Sequence, residues 1–361
     1  MIKTNNLYFD TAATTPLDLR VADYMHEINK DIFGNPSSIH QVGQKSHNII
    51  ERSRKKIAEL LHCKQSEIYF TSGGSESNNI ALRGVLKSGD HLITASYEHP
   101  AILDVAEYLE SIDIEVTYVK PNQDGIVEAQ NIKKAIKSNT KLVSIMAVNN
   151  ELGTINPVNK ISDMCKEHGI YFHTDAVQYI GKKEMNLELS SIDMLSLGAH
   201  KFYGPQGIGA LYMRKAAGCG VIPLHYGGEQ ENWIRPGTLP VHQIIGFGVA
   251  AELALERSED DYLIMQDLHK RLWSGLKSIP GIEINGTIKS KYPGILNVSI
   301  SGIDGESLIL LLEPLCVANG SACNSKNNEP SFVLKALGRS DLQAQSAIRF
   351  SFNRNTTYLN A

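Results

Sequence analysis

Lys201 lies in the stretch SLGAHKFYGPQGIG (residues 196–209), between an apolar run and a turn rich in glycine and proline. An amine presented at a strand end in a partly dry site has its pKa lowered and can form a Schiff base with an aldehyde. Five further side chains able to bind or move protons also follow apolar runs: His99 in SYEHP, Asn150 in VNNEL, Asp175 and Gln178 in HTDAVQ, and His200 beside the lysine. The segment TSGGSESNN (71–79), which includes Gly74 and Ser75, sets small residues between one apolar run and the next, which begins at Ile80. Backbone N–H groups in such a turn point at open space, and a helix dipole behind them favours an anion, most often phosphate. The segment matches neither the Walker pattern nor G-x-G-x-x-G, and taken alone a plain helix cap explains it.

The elements that must position these groups follow from short apolar runs bounded by turn residues. Residues 68–70, 92–94, 142–148, 171–172, 192–197 and 208–213 read as strands. Helical stretches lie between several of them; Ile49, Ile50, Ile57, Leu60 and Leu61, for example, fall at helical spacing. Unalternating strands separated by helices predict a mainly parallel sheet covered on both faces. Ligands of such sheets sit outside the carboxyl ends of the strands, where His99, Asn150, Asp175, Gln178, His200 and Lys201 all fall. A core histidine or a helix cap accounts for His99 or Asp175 singly, but not for the whole set at one edge. Farther on, Ile264, Leu268, Leu272 and Leu276 mark one helical face, and the charge run ERSEDD (256–261) reads as solvated. From about residue 256 a second, smaller unit is expected. It holds a strand at 295–300, a helix at 307–312, a polar loop around Cys323 and a C-terminal strand at 346–352 carrying Arg349.

Composition narrows the class. A chain of 361 residues exceeds what one hydrophobic core usually supports, so two domains are expected. The net charge of −4 and the lack of a Lys/Arg tract give no footprint for nucleic acid. The start, MIKTNNLYFD, lacks the apolar core of a signal peptide, and the longest leucine cluster, 308–312, is far too short to span a membrane. A cytoplasmic protein without direct nucleic-acid or membrane binding is the expectation. Of the five cysteines, Cys63, Cys165, Cys219 and Cys316 are expected to be free buried thiols in a reducing compartment. Cys323 differs, because Gly320, Ser321, Ala322, Asn324, Ser325, Asn327 and Asn328 around it bury little, which predicts a mobile arm.

A phosphate cradle, an aldehyde-reactive lysine, an aspartate and a histidine together suit pyridoxal 5′-phosphate. Its ring withdraws electrons only while the pyridine nitrogen stays protonated, and a fixed carboxylate such as Asp175 keeps it so. His99 is placed to stack on the ring and shuttle a proton. Asn150 and Gln178 are placed to hydrogen-bond the phenolate oxygen, and Lys201 to hold the coenzyme and then remove the substrate α-proton.

The motifs YFDTAATTP, FGNPSS, FTSGGSES, EHPAIL, VNNELGTINP, HTDAVQ, GAHKFYGPQGIGALY, RPGTLPVHQIIG, NGSACNS and EPSFVLKALG occur in this order from about Leu7 to Arg354. In them the chain resembles the cysteine desulfurases of the NifS/IscS type, within the class-V aminotransferase superfamily. The resemblance implies an α/β protein of fold-type I. A large domain, 15–255, would hold a mainly parallel sheet of the seven-stranded type covered by helices. A smaller α+β domain, 1–14 with 256–361, would carry the Cys323 loop. It further implies a homodimer that takes sulfur from L-cysteine and releases L-alanine. By position, Lys201 is the Schiff-base lysine, His99 the acid/base over the ring and Asp175 the pyridinium partner. Asn150 and Gln178 contact the coenzyme, and Gly74, Ser75 and His200 its phosphate, with Thr238 lent by the neighbouring subunit. Arg349 pairs with the substrate carboxylate and Asn35 lies near it. Cys323 is the nucleophile that becomes a persulfide; it could also serve as a transient iron–sulfur ligand, and no resident metal is implied. The long loop resembles the subgroup that passes sulfur to acceptor proteins.

Departures are equally specific. Gly198 stands where the family usually has a phosphate-binding serine, Ser75 where threonine is usual and Asn353 where glycine is common. Losing one hydroxyl weakens coenzyme retention by about 1 kcal/mol. The chain ends at Ala361, short of the tail that housekeeping members use for the iron–sulfur scaffold, so the acceptor could belong to iron–sulfur assembly, tRNA thiolation or DNA phosphorothioation. The competing readings are an aminotransferase or lyase on the same scaffold, and a catalytically silent scaffold of a sulfur-modification complex.

Overall fold

The computed structural model describes residues 7–215, 220–319 and 330–356. Strands β1 (Ile68–Thr71), β2 (His91–Ala95), β3 (Glu115–Val119), β4 (Thr140–Ser144), β5 (Tyr171–Asp175), β6 (Met194–Gly198) and β7 (Gly209–Met213) form one sheet in the order β1-β7-β6-β5-β4-β2-β3. The pairs β2–β3, β2–β4, β4–β5 and β5–β6 are parallel, and β7 runs antiparallel to both β1 and β6. The carboxyl ends of β1, β2, β4, β5 and β6 therefore share one edge. Both faces are buried, which is why the strands read as unbroken apolar runs. Ile93 and Val143 join one core with Ile57, Phe70 and Phe172, while Leu92 and Leu142 join another with Ile80, Ile102 and Leu211.

Helices cover these faces: α1 (Leu19–Asn29), α2 (Gln41–Leu61), α3 (Gly74–Arg83), α4 (Pro100–Glu110), α5 (Ala129–Ala135), α6 (Val158–Glu167) and α7 (Val241–Leu276). A second, antiparallel sheet is made of β8 (Ile282–Ile284), β9 (Ile295–Ile300) and β10 (Ala347–Ser351), in the order β10-β9-β8. Short helices α8 (Gly305–Leu311), α9 (Phe332–Ala336) and α10 (Asp341–Gln345) accompany it. The N-terminal strip joins this sheet, not the large one: Tyr8 bridges to Cys316, Asp10 to Ser351, and the Phe9 and Phe352 rings meet edge to face at 5.8 Å. Helix α7 serves both cores, burying Phe247 and Ala250 in the first and Met265 and Leu268 in that of the small sheet.

Two expectations need correction. The run ERSEDD lies inside α7 and is not wholly solvated: Asp261 is buried and pairs with Arg354 at 2.8 Å. The same guanidinium reaches Asp18 at 3.0 Å and lies 3.7 Å over the Tyr203 ring, so the acid at 261 ties α7 to the chain's last described residues. Among the thiols, Cys165 is buried and Cys63 partly so, but Cys316 is exposed. Its neighbour Val317 takes the inward position instead, joining the small-sheet core. Cys219 and Cys323 lie outside the described residues.

Two buried histidines bridge hydroxyls across neighbouring strands. His173 on β5 has Nδ1 2.8 Å from Ser144 Oγ and Nε2 3.0 Å from Ser196 Oγ. His91 on β2 likewise spans Thr140 and Thr117. Burial pulls the His173 pKa down to about 3. The unfolded chain protonates this histidine as pH falls through its ordinary value near 6.5, while the folded chain does not, so the stability gained from keeping it neutral is lost progressively from about 6.5 to about 3. His173→Gln should lower stability at pH 7, yet lose about 2 kcal/mol less than the parent between pH 7 and 5. Urea unfolding at the two pH values reads this directly; equal losses would show that His173 titrates in the fold as it does in the unfolded chain.

A buried ion pair holds the segment before α7. Arg54 donates through Nη2 and Nη1 to Glu231 at 2.7 Å each, and Glu231 Oε2 also accepts the Phe70 N–H at 2.7 Å. Glu231, Asn232 and Trp233 have φ of +51°, +52° and +69°, a left-handed run unfavourable for side-chain-bearing residues. The pair secures that strained turn, from which Arg235 reaches Glu76 on α3 at 3.0 Å. Glu231→Gln leaves the buried Arg54 charge with only the partly exposed Glu51, 3.1 Å from its Nε, as counterion and should cost about 3 kcal/mol, seen as a lower urea midpoint. A loss below about 1 kcal/mol, the value for exposed pairs, would show that solvent reaches Arg54.

Candidate active site

Strand β5 delivers Asp175 to the shared edge, where it is 6% exposed. A carboxylate this deep needs donors on both oxygens, and it has them. Oδ1 accepts the Val177 N–H at 3.0 Å and Oδ2 accepts the Asn78 amide of α3 at 2.7 Å. His99 caps the start of α4, with Nδ1 accepting the Ala101 N–H at 3.1 Å, which leaves the ring proton on Nε2. Burial lowers the His99 pKa below the ordinary histidine value, against the opposing pull of Asp175. The preceding residue, Glu98, is fully buried; Oε1 accepts the Met146 N–H at 2.8 Å and Oε2 has no partner among the described residues. Burial first, then Asp175, push its carboxyl well above the usual range.

Past β6, a single 3-10 turn over Ala199–Lys201 places His200 and Lys201 side by side. Lys201 Nζ donates to the carbonyls of Ala12 and Ala13 at 2.7 Å each. Gln178 Nε2 donates to the same Ala12 carbonyl at 2.7 Å, and its Oε1 accepts from Lys182 Nζ at 2.5 Å. His200 Nδ1 is 3.1 Å from Thr14 Oγ1. Burial, Lys201 and Lys182 bring the His200 pKa down to about 4, so it is neutral near pH 7. The YFDTAATTP strip thus lines the lysine side of the site.

The first turn of α3 carries no side-chain cap, so its leading N–H groups are available to an anion. Gly74 belongs to that turn and packs closely on Val177; a Cβ there would meet Val177 Cγ2 at 2.5 Å. Opposite lies Gly198, whose bare Cα leaves room: a Cβ would stand 3.6 Å from both the Gly74 nitrogen and His200 Cδ2, an ordinary contact. Ser75 is exposed on the same turn. An uncapped helix end, a neutral imidazole, a buried carboxylate and an amine at one strand edge fit pyridoxal phosphate.

Arg349 reaches this edge from β10. It is 4% exposed, pairs with Asp10 at 2.7 Å and donates to the Asn150 carbonyl at 3.0 Å. Its backbone pairs with Ala318 in both directions. Beside Asn150, the buried Glu151 accepts from Ser331 Oγ at 2.6 Å; burial pushes its pKa up to about 7 despite Ser331 and Arg349. The cluster therefore unites His99, Asn150, Asp175, Gln178, His200, Lys201 and Arg349. Asn35 turns its side chain onto its own loop, accepting the Ser37 N–H at 2.9 Å, and Thr238 is exposed. Cys323 lies outside the described residues. Sequence reasoning missed Asp10, Asn78, Glu98, Glu151 and Lys182. Asp10, an acid closing an apolar run in YFDTAATTP, carried the same signal that singled out Asp175.

Comparison with known proteins agrees with this geometry. The cysteine desulfurase IscS of Buchnera aphidicola subsp. Schizaphis graminum is 45% identical over 360 residues, covering 98% of this chain and 89% of that protein. A solved structure described as a NifS-like protein has a TM-score of 0.91 at 36% identity, covering 98% of this chain and 96% of its own. SspA in complex with cysteine has a TM-score of 0.87 at 37% identity, covering 97% and 99%. The model of the aminotransferase class-V family matches residues 7–360, and the chain belongs to that family of pyridoxal-phosphate-dependent enzymes.

Proposed function

We propose that the chain is a cysteine desulfurase, removing sulfur from L-cysteine to give L-alanine and a persulfide on Cys323 that passes to a sulfur-acceptor protein. The observation that carries this is Lys201 and Asp175 at one sheet edge, with the buried Arg349 reaching the adjoining Asn150 turn from the small sheet. That arrangement suits an amino acid, whose carboxylate a guanidinium can grip bidentately. When bound, pyridoxal phosphate supplies the electron sink for this chemistry. Asp175 keeps the ring nitrogen protonated, the α3 N-terminus with Ser75 and His200 receives the phosphate, and Gln178 and Asn150 bond the phenolate oxygen. His99 offers its Nε2 proton, and Lys201 is the base that moves the α-proton. The Cys323 thiolate attacks the substrate sulfur. An S–S bond forms as the substrate C–S bond breaks, and the carbon keeps the electron pair and takes a proton to become the alanine methyl.

Residues 15–255 serve in this reading as the coenzyme-binding unit, and 1–14 with 256–361 as the smaller unit bearing Arg349 and Cys323. A homodimer completes the site: Thr238, exposed in one protomer, lends its hydroxyl to the phosphate of the next. No helix among the described residues is long and apolar enough to cross a membrane, and a cytoplasmic site of action fits this reading.

Cys323→Ser should retain the coenzyme, read from its visible absorbance, while losing persulfide transfer to added thiol acceptors. Undiminished transfer would sink the proposal. Gly198→Ser tests the phosphate side. Its extended backbone (φ −136°, ψ 130°) accepts serine and the space is open, so a hydroxyl beside the Gly74 nitrogen should slow coenzyme loss about fivefold, the equivalent of about 1 kcal/mol. Dialysis followed by absorbance measures it, and faster loss would place the phosphate elsewhere.

A further inference from the structure

Gly181 has a φ of +76°, and a Cβ there would meet the Phe202 Cβ at 2.5 Å. The turn after β5 can therefore press against the residue that follows Lys201, and Lys182 is carried back to the site. Its Nζ donates to Gln178 Oε1 at 2.5 Å and stands 5.1 Å over the Tyr292 ring. At the other end of that amide, Nε2 donates to the Ala12 carbonyl, which also receives Lys201 Nζ.

An ammonium can only donate and a peptide carbonyl can only accept. The two ends of the Gln178 amide are therefore not interchangeable here: oxygen must face Lys182, and NH2 must face the Ala12 carbonyl. Burial, Lys201 and Arg349 hold the Lys182 pKa well below the ordinary lysine value. A neutral amine still keeps two N–H donors, and the Ala12 carbonyl still claims the amide NH2.

We propose that Lys182 is a positioning residue that fixes the amide of Gln178 with NH2 toward the Ala12 carbonyl, so that Gln178 meets the coenzyme as a hydrogen-bond donor. This rests on the reading of Gln178 as a ligand of the phenolate oxygen. Without Lys182, the amide oxygen loses its partner and the Ala12 carbonyl alone orients the group, so the turned orientation, which presents oxygen to oxygen at the phenolate, gains population.

The test is a pH titration of the bound coenzyme's absorbance in the full chain, with coenzyme affinity measured alongside. A donor on the phenolate stabilises its charged form, so losing that donor should raise the titration midpoint by about 0.5–1 unit. Lys182→Met and Gln178→Leu should each show this rise. Lys182→Arg, which restores the donors, should titrate like the parent, and Lys182→Met added to Gln178→Leu should shift nothing more. A full additive shift in the double variant would mean that Lys182 acts by charge alone and would overturn the proposal. So would an unmoved Lys182→Met beside a shifted Gln178→Leu. An unmoved Gln178→Leu would instead remove the ligand reading of Gln178, and this role with it. Should Lys182→Met fail to fold, Lys182→Gln, too short to reach the same oxygen, takes its place with the same expected rise.

Discussion

Taking a carboxylate out of water costs several kcal/mol unless donors meet it, and Asp175 satisfies that demand only because three elements converge on it. β5 brings the residue to the sheet edge, the turn after the strand supplies the Val177 N–H, and α3 supplies the Asn78 amide. The same helix offers its uncapped N-terminus to an anion. Securing the carboxylate through Asn78 therefore also fixes where the phosphate cradle lies relative to it. Glu98 and His99, from the neighbouring β2–α4 junction, close the space from the other side.

The lysine side is built differently. Lys201, Gln178, His200 and Arg349 all find partners in residues 10–14, a strip that belongs by its pairing to the small sheet. The large sheet supplies the amine, the strip supplies the Ala12 and Ala13 carbonyls that hold it, and its acid, Asp10, holds Arg349. Arg349 adds a second tie, from β10 to the Asn150 carbonyl. Both ends of the segment that contains Cys323 are anchored at this junction. Ala318 pairs with the Arg349 backbone on one side, and Ser331 bonds Glu151 on the other. Arg349 and the described ends of the segment that contains Cys323 thus share one set of contacts.

How much of this could be read from the sequence depends on what each residue signals locally. His99, Asn150, Asp175, Gln178 and Lys201 follow apolar runs, and strand ends in a parallel sheet converge, so the edge was legible before any coordinates. Strand β3 was not, because its exposed and half-buried residues at the sheet margin break the apolar run. The antiparallel course of β7 was also invisible, since a strand buried on both faces looks the same in either direction. Asn78 and Lys182 escaped notice because they act through another side chain, and pairing across 97 residues in the first case leaves no local pattern. Asp261 misled for the complementary reason: its partner, Arg354, comes from the far end of the chain, so a buried pair looked like a solvated face.

Charge balance explains why buried acids surround the site without cancelling it. Arg349 pairs with Asp10, Lys201 donates to the Ala12 and Ala13 carbonyls, and burial holds the Lys182 pKa well below the ordinary lysine value. Glu98 and Glu151 are buried nearby, and burial pushes the first well above the usual carboxyl range and the second up to about 7. His99 and His200 have lowered pKa values and add no charge at neutral pH. Raised carboxyl pKa values hold negative charge back from a site that suits a phosphate and a substrate carboxylate. Ionised, Glu98 and Glu151 would add negative charge, and both anions would meet repulsion at effective dielectric constants far below that of water. Desolvation thus lets this site use carboxyl groups as hydrogen-bonding structure while reserving its electrostatic field for its ligands.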